Sequence, residues 1–304
     1  MCKYPTKKSK AFPIFTIEKS FESAKFTLLL TKCVLDSKQY IFKTYSQADD
    51  YSHNSYIREN RIHSSLNHQN IIQYNSNPNI SFSIPNYDVI SMEYAPFGDF
   101  FDLILDYNFA DEKLIRTYFH QLIEGIQYLH NKQIAHLDIK LENLLLGKDY
   151  LLKVADFDLA QNIHETVLIS KGTANYRAPE VKSGNCTDFY SADIYSIGIC
   201  LYILIAGSFP FLEEDDNQAQ PLFRYDMFLQ NNDAFWEENE AILDGKFMWS
   251  KNLRDLLNKM WAQNPSERIT LEQVKKSNWY NEPVYTNDEL QALMKVKLSN
   301  SSNQ

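Results

Sequence analysis

His136-Leu137-Asp138-Ile139-Lys140-Leu141-Glu142-Asn143, followed by the apolar run Leu144-Leu145-Leu146, packs an acid, a base and an amide into one short stretch. A bland surface loop can hold such residue types, so the stretch alone carries modest weight. Further on, Val154-Ala155 leads into Asp156-Phe157-Asp158, and Ala178-Pro179-Glu180 closes the region. Three polar motifs in this order and at this spacing are improbable as coincidence.

The pattern on either side differs. Upstream, residues 26–35, 39–45, 80–84 and 87–92 read as β-rich runs separated by turn-forming Asp, Ser, Asn and Pro. One helix interrupts them, with Ile57, Ile62 and Leu66 at roughly helical spacing over 55–66. After Gly98, the residues Leu114, Ile115, Tyr118, Phe119, Leu122, Ile123, Ile126 and Leu129 describe a wide apolar face on a long helix, and the remainder is mostly helical. Strand-rich first part, helix-rich second part and a short joint at 95–98 predict an α+β chain of two lobes with a cleft between them. Residues 194–211 approach the minimum length of a membrane span, but Ser196, Gly198, Gly207, Ser208 and Pro210 interrupt them, so a buried core helix is expected.

Composition narrows the function. The 304 residues, 44% of them apolar, are enough for a full core. Thirty basic against 39 acidic side chains give a net charge of −9, which argues against a nucleic-acid partner. Cys2, Cys33, Cys186 and Cys200 are few and scattered, with no zinc spacing or disulfide framework, so a reducing, cytoplasmic compartment is expected. The lysine-rich start lacks the apolar stretch of a signal peptide and is expected to be a tail over 1–13.

Together the three motifs resemble the catalytic core of the eukaryotic protein kinases. The resemblance covers about residues 14–281, with an N-lobe at about 14–94, a C-lobe at about 97–281 and a C-terminal tail at 282–304. It implies ATP and Mg²⁺ as cofactors, a protein substrate and room for regulatory protein partners. Asp138 then matches the aspartate that orients or deprotonates the acceptor hydroxyl, Lys140 the cation that meets the γ-phosphate, and Asn143 and Asp156 the Mg²⁺ ligands. Lys43 matches the lysine on the α- and β-phosphates and Glu59 its helix partner. Met92 matches the guard of the back pocket, and the Glu93 carbonyl and Ala95 amide match the adenine contacts. Leu28, Ile41 and Leu145 are expected to border the nucleotide. Lys140 and Thr173 go with serine/threonine specificity, and Asp99 sits where relatives place an acid for ribose or a basic substrate residue. Asp193 is expected to tie the catalytic loop to the core, and Arg268 to pair with Glu180. The layout is most similar to the calcium/calmodulin-dependent kinase-like group. Leu290, Leu293, Val296 and Leu298 in the tail are expected to dock on the domain rather than to bind calmodulin.

Four departures stand out. The chain has 8 glycines and none precedes Gly98, so the glycine-rich loop that lets backbone amides approach phosphates is missing. Phe21, Ser23 and Phe26 take the three glycine positions, beside Glu22. Ile41 replaces a small residue against adenine. Asp158 replaces the glycine of the metal motif, and Leu137 the arginine that meets an activation-loop phosphate, leaving Thr166 and Ser170 as candidate sites without an arginine cluster. The principal expectation is a serine/threonine kinase. The alternative is a pseudokinase acting as a binding or scaffold module, and a small-molecule kinase is disfavoured by the peptide-binding run 172–180.

Overall fold

A computed structural model describes residues 14–23, 25–77, 83–106, 111–165, 172–211, 224–243, 245 and 247–301. The expected strand at 80–84 and the candidate sites Thr166 and Ser170 lie wholly or partly outside these residues, as does the 1–13 tail. The chain divides into two compact units, one comprising Met1–Asn67 and Ile72–Tyr94, the other His68–Ile71 and Ala95–Gln304.

The first unit is an antiparallel sheet in the order β1-β2-β3-β4, with β1 at Phe15–Glu22, β2 at Thr27–Cys33, β3 at Gln39–Ser46 and β4 at Tyr87–Glu93. Phe15, Leu29, Cys33 and Phe42 form its core. Strand β1 escaped the sequence reading for a physical reason: only Phe15 of its eight residues is buried, so it shows no alternation. Helix α1 spans Asp50–His63, starting before the expected 55 because Asp49 caps it, accepting from the Tyr51 and Ser52 amides. Its inner face is Ser52, Ser55, Glu59, Ile62 and His63, while Ile57 is exposed, so a polar stripe hid its first turns.

The second unit is mainly helical. It runs through α2 (Phe100–Asp106), α3 (Glu112–Asn131), the short strands β5 (Ile134–Ala135), β6 (Leu144–Leu146), β7 (Leu152–Val154) and β8 (Gln161–Asn162), then α4 (Pro179–Lys182) and α5 (Phe189–Ala206). Helices α6 (Arg224–Gln230), α7 (Asn232–Leu243), α8 (Lys251–Met260), α9 (Leu271–Lys275) and α10 (Asn287–Ser301) complete it. All eight residues of the expected apolar face on α3 are buried. Residues 68–71 join this unit through an Ile71–Val154 bridge and an Asn70 Nδ2 bond to the Leu152 carbonyl.

Helix α5 is buried on nearly every side, which explains its membrane-like composition. Among the described residues it is the one helix long and apolar enough to cross a membrane, and 72% of it is buried. Tyr202 on α5 stacks on Trp249, and the Trp236, Trp261, Phe211, Phe228 and Phe235 rings continue that core. Helix α10 packs through Leu290 and Met294, both fully buried, whereas Leu293 and Leu298 of the expected face are half-buried and Val296 is exposed.

Candidate active site

The β6–β7 hairpin pairs Leu144 with Val154, and the Ala155 amide donates to the Asn143 carbonyl at 2.9 Å. This antiparallel register sets Asn143 beside the start of 155–158 although the two are far apart in sequence. Asp156 has φ +64° and Leu137 φ +62°, left-handed conformations that cost a non-glycine residue energy and occur where surrounding contacts over-determine the backbone.

For the loop at 136–143 that contact comes from α5. The buried Asp193 carboxylate accepts from the His136 amide at 2.9 Å, the Leu137 amide at 2.8 Å and the His130 ring at 2.9 Å. His136 in turn donates from Nε2 to the Ala155 carbonyl. One carboxylate therefore satisfies two backbone donors that would otherwise be stranded in the interior.

Asp138 gathers the polar groups of this loop. Its Oδ1 accepts from the Thr173 amide at 2.9 Å and hydroxyl at 3.0 Å, and its Oδ2 from Asn143 Nδ2 at 3.1 Å. Lys140 Nζ lies 3.2 Å from Asp138 Oδ2 and donates to Thr173 Oγ1 at 2.8 Å. Four of the expected residues, Asp138, Lys140, Asn143 and Thr173, thus form one cluster. A small hollow beside it is lined by Leu137, Thr173, Tyr176, Val181 and Ser196.

Gly172 is needed where it stands. Its φ is +110°, and a Cβ there would lie 2.8 Å from the Leu137 carbonyl oxygen. Arg177 donates from Nε and Nη2 to the Gly172 carbonyl, a clamp that the sequence reading did not single out. Beyond it, the Arg268 guanidinium meets both Glu180 oxygens, at 2.6 and 3.1 Å, and also bonds the Ser191 and Ala262 carbonyls. The buried pair is therefore fully hydrogen-bonded, the condition under which such a pair is tolerated.

Asn143 and Asp156 carry oxygen donors of the kind magnesium prefers. Among the described residues no trio of His, Cys, Asp or Glu forms a metal cage. Mg²⁺ instead favours one or two carboxylates supplemented by phosphate oxygens, and Asp156 offers a carboxylate. Because Asn143 Nδ2 is committed to the Asp138 carbonyl and carboxylate, its amide presents a hard oxygen on the opposite side.

In the first unit, Lys43 Nζ donates to Glu59 at 3.0 and 2.8 Å, with both side chains almost completely buried. Tyr45 donates to the same carboxylate, and burial, aided by that carboxylate, holds the phenol far above its ordinary pKa. Tyr45 was readable from the two-residue strand period, since it shares a face with Lys43 on β3. Leu28 faces Lys43 across β2–β3, and Ile41 faces Met92 across β3–β4. Glu93 ends β4, its carboxylate accepting from the Gln73 amide at 2.8 Å.

The other expected residues belong to the second unit. Ala95 is buried, and Leu145 in β6 bridges Asp99. The Asp99 carboxylate accepts from the Asp102 amide at 3.0 Å at the start of α2, and burial raises its pKa. It is a helix-capping acid in addition to any role toward substrate.

Comparison with known proteins agrees with this chemistry. Residues 29–280 match the model of the protein kinase domain. The chain is 33% identical over 253 residues to the serine/threonine-protein kinase SAPK1 of Oryza sativa subsp. japonica, across 81% of this chain and 70% of that protein. It is 30% identical over 270 residues to the serine/threonine-protein kinase SRK2A of Arabidopsis thaliana, across 88% and 71% of the respective chains. With a sheet lobe carrying a buried Lys–Glu pair and a helical lobe carrying the Asp138 cluster, the chain belongs to the protein kinase family.

Proposed function

We propose that this protein is a serine/threonine protein kinase that transfers the γ-phosphoryl group of ATP to hydroxyls of protein substrates, with Mg²⁺ as the metal. The observation that carries the reading is the Asp138 cluster, in which carboxylate, ammonium, amide and threonine hydroxyl are mutually hydrogen-bonded. In the transfer, the acceptor oxygen bonds to the γ-phosphorus as the bond to the β–γ bridging oxygen breaks, and ADP leaves. Asp138 orients the hydroxyl and accepts its proton on the carboxylate. Lys140 offsets charge developing on the transferred group, and Thr173 holds Asp138 and Lys140 in register. Asn143 and Asp156 would hold Mg²⁺, which would supply charge neutralisation at the phosphates. Lys43, oriented by Glu59, meets the α- and β-phosphates, while Leu28, Ile41, Met92, Glu93, Ala95 and Leu145 border the nucleoside. Asp99 is assigned to ribose or to a basic substrate residue.

The kinase domain is assigned to 14–281, with the remainder to 301 packed as its extension. A cytoplasmic setting is supported by the free, buried state of Cys33, Cys186 and Cys200.

The test is to incubate the full chain with radiolabelled ATP, Mg²⁺ and mixed basic proteins, beside Asp138→Asn. Label on serine and threonine is expected, falling about 10²- to 10⁴-fold in the variant and disappearing with a chelator. Label that is absent, or equal in both proteins, would leave the pseudokinase reading in its place.

A further inference from the structure

The turn that replaces the glycine-rich loop brings a side chain onto the lysine it should leave open. Antiparallel register sets Leu28 opposite Lys43 and Thr27 opposite Thr44. Side chains alternate along a strand, so residue 26 shares the face of Leu28 and becomes the diagonal neighbour of Lys43. Glycine there would place no ring at that position. Phe26 instead places its ring centroid 4.1 Å from Lys43 Nζ, with Tyr45 5.9 Å away on the same face.

The ring is held there by its own turn. Phe26 N donates to Ser23 Oγ at 3.1 Å, and its carbonyl accepts from the Ser23 amide at 3.0 Å and hydroxyl at 2.9 Å. The preceding residue is fixed to α1, where Ser52 Oγ donates to the Lys25 carbonyl at 3.1 Å and the Lys25 ammonium lies 5.5 Å from the Tyr51 ring. Of the three side chains at glycine positions only Phe26 meets Lys43; Phe21 is 55% exposed and Ser23 serves the turn.

We propose that the Phe26 ring occupies the phosphate-binding side of Lys43, so that nucleotide phosphates reach the ammonium only by displacing an intramolecular cation–π contact. Glu59 takes one side of Nζ, and a ring face at this distance fills space that a phosphate oxygen at hydrogen-bond distance would require. Phe26 is thereby a specificity-determining residue for phosphate, lowering affinity for ATP and ADP while leaving the nucleoside unaffected. The inference rests on the nucleotide role proposed for Lys43 above.

The experiment is calorimetric titration of the full chain, wild type and Phe26→Ala, with Mg²⁺-ATP and separately with adenosine. Phe26→Ala should bind ATP about 3- to 30-fold more tightly, the fold-change equivalent to a cation–π contact, with adenosine unchanged. Phe26→Leu, which keeps apolar bulk without a π face, should fall between the two and serves if the alanine variant fails to fold. Unchanged or weakened ATP binding, or adenosine tightening as much as ATP, would overturn the proposal. If adenosine binds but ATP does not respond to residue 26, only this inference fails. If no variant binds either ligand, the nucleotide-binding reading of the site falls with it.

Discussion

The catalytic loop at 136–143 and the turn between β1 and β2 are both short irregular segments beside chemistry, and they are secured differently. The loop is held from outside by the Asp193 carboxylate on backbone amides, which leaves Asp138, Lys140 and Asn143 to present their side chains to one another. The turn is closed chiefly by its own Ser23, with Ser52 of α1 adding a bond to the Lys25 carbonyl, and Phe26 covers Lys43. Where function resides in side-chain atoms, backbone anchoring leaves them available. Where it resides in backbone amides, ordinary side chains can obscure it, and the cost falls on ligand affinity rather than on the fold.

The largest test of this contrast removes the external anchor. Asp193→Ala leaves the His136 and Leu137 amides and His130 without their acceptor and is expected to cost on the order of 3–5 kcal/mol, read from the urea midpoint, with phosphoryl transfer abolished. A variant as stable and active as wild type would mean the loop does not depend on this carboxylate. Next in size is Gly172→Ala, which combines a left-handed φ with a Cβ too close to the Leu137 carbonyl. A loss of about 1–3 kcal/mol is expected, with kcat reduced more than KM for ATP because Thr173 loses its seat on Asp138. An effect confined to KM would contradict that placement. The smallest is Ser52→Ala, expected to cost about 1 kcal/mol and to speed amide exchange in the β1–β2 turn while exchange in 136–143 is unchanged. Equal acceleration in both segments would erase the distinction between them.

The residues read most clearly from sequence were those whose chemistry fixes residue type and order. Lys43 and Glu59 meet in one unit, and Asp138, Lys140, Asn143 and Thr173 meet in the other, because the motif spacing reflects strand register and loop geometry that few other residues satisfy. The buried fate of residues 194–206 was also legible, since polar and small residues interrupted an otherwise membrane-like run. Less visible were elements whose inner faces lack apolar periodicity, notably β1 and the first turns of α1. Arg177 was hidden for another reason: its partner is a carbonyl, and a backbone acceptor leaves no mark on composition. The absence of glycine before residue 98 pointed to crowding at the phosphates, but only the β2–β3 register identifies which aromatic side chain is responsible.

The packing of α10 alters where this molecule can safely be shortened. Arg116, in α3, donates to the Glu282 carboxylate and the Pro283 carbonyl, and Tyr285 reaches back to Thr117 and Asp111, all beyond the matched stretch that ends at 280. The guanidinium is buried and its Nε already lacks an acceptor. Clipping the chain at the conventional border would strip it of two more acceptors and unroof the α3 surface, leaving a fragment prone to self-association.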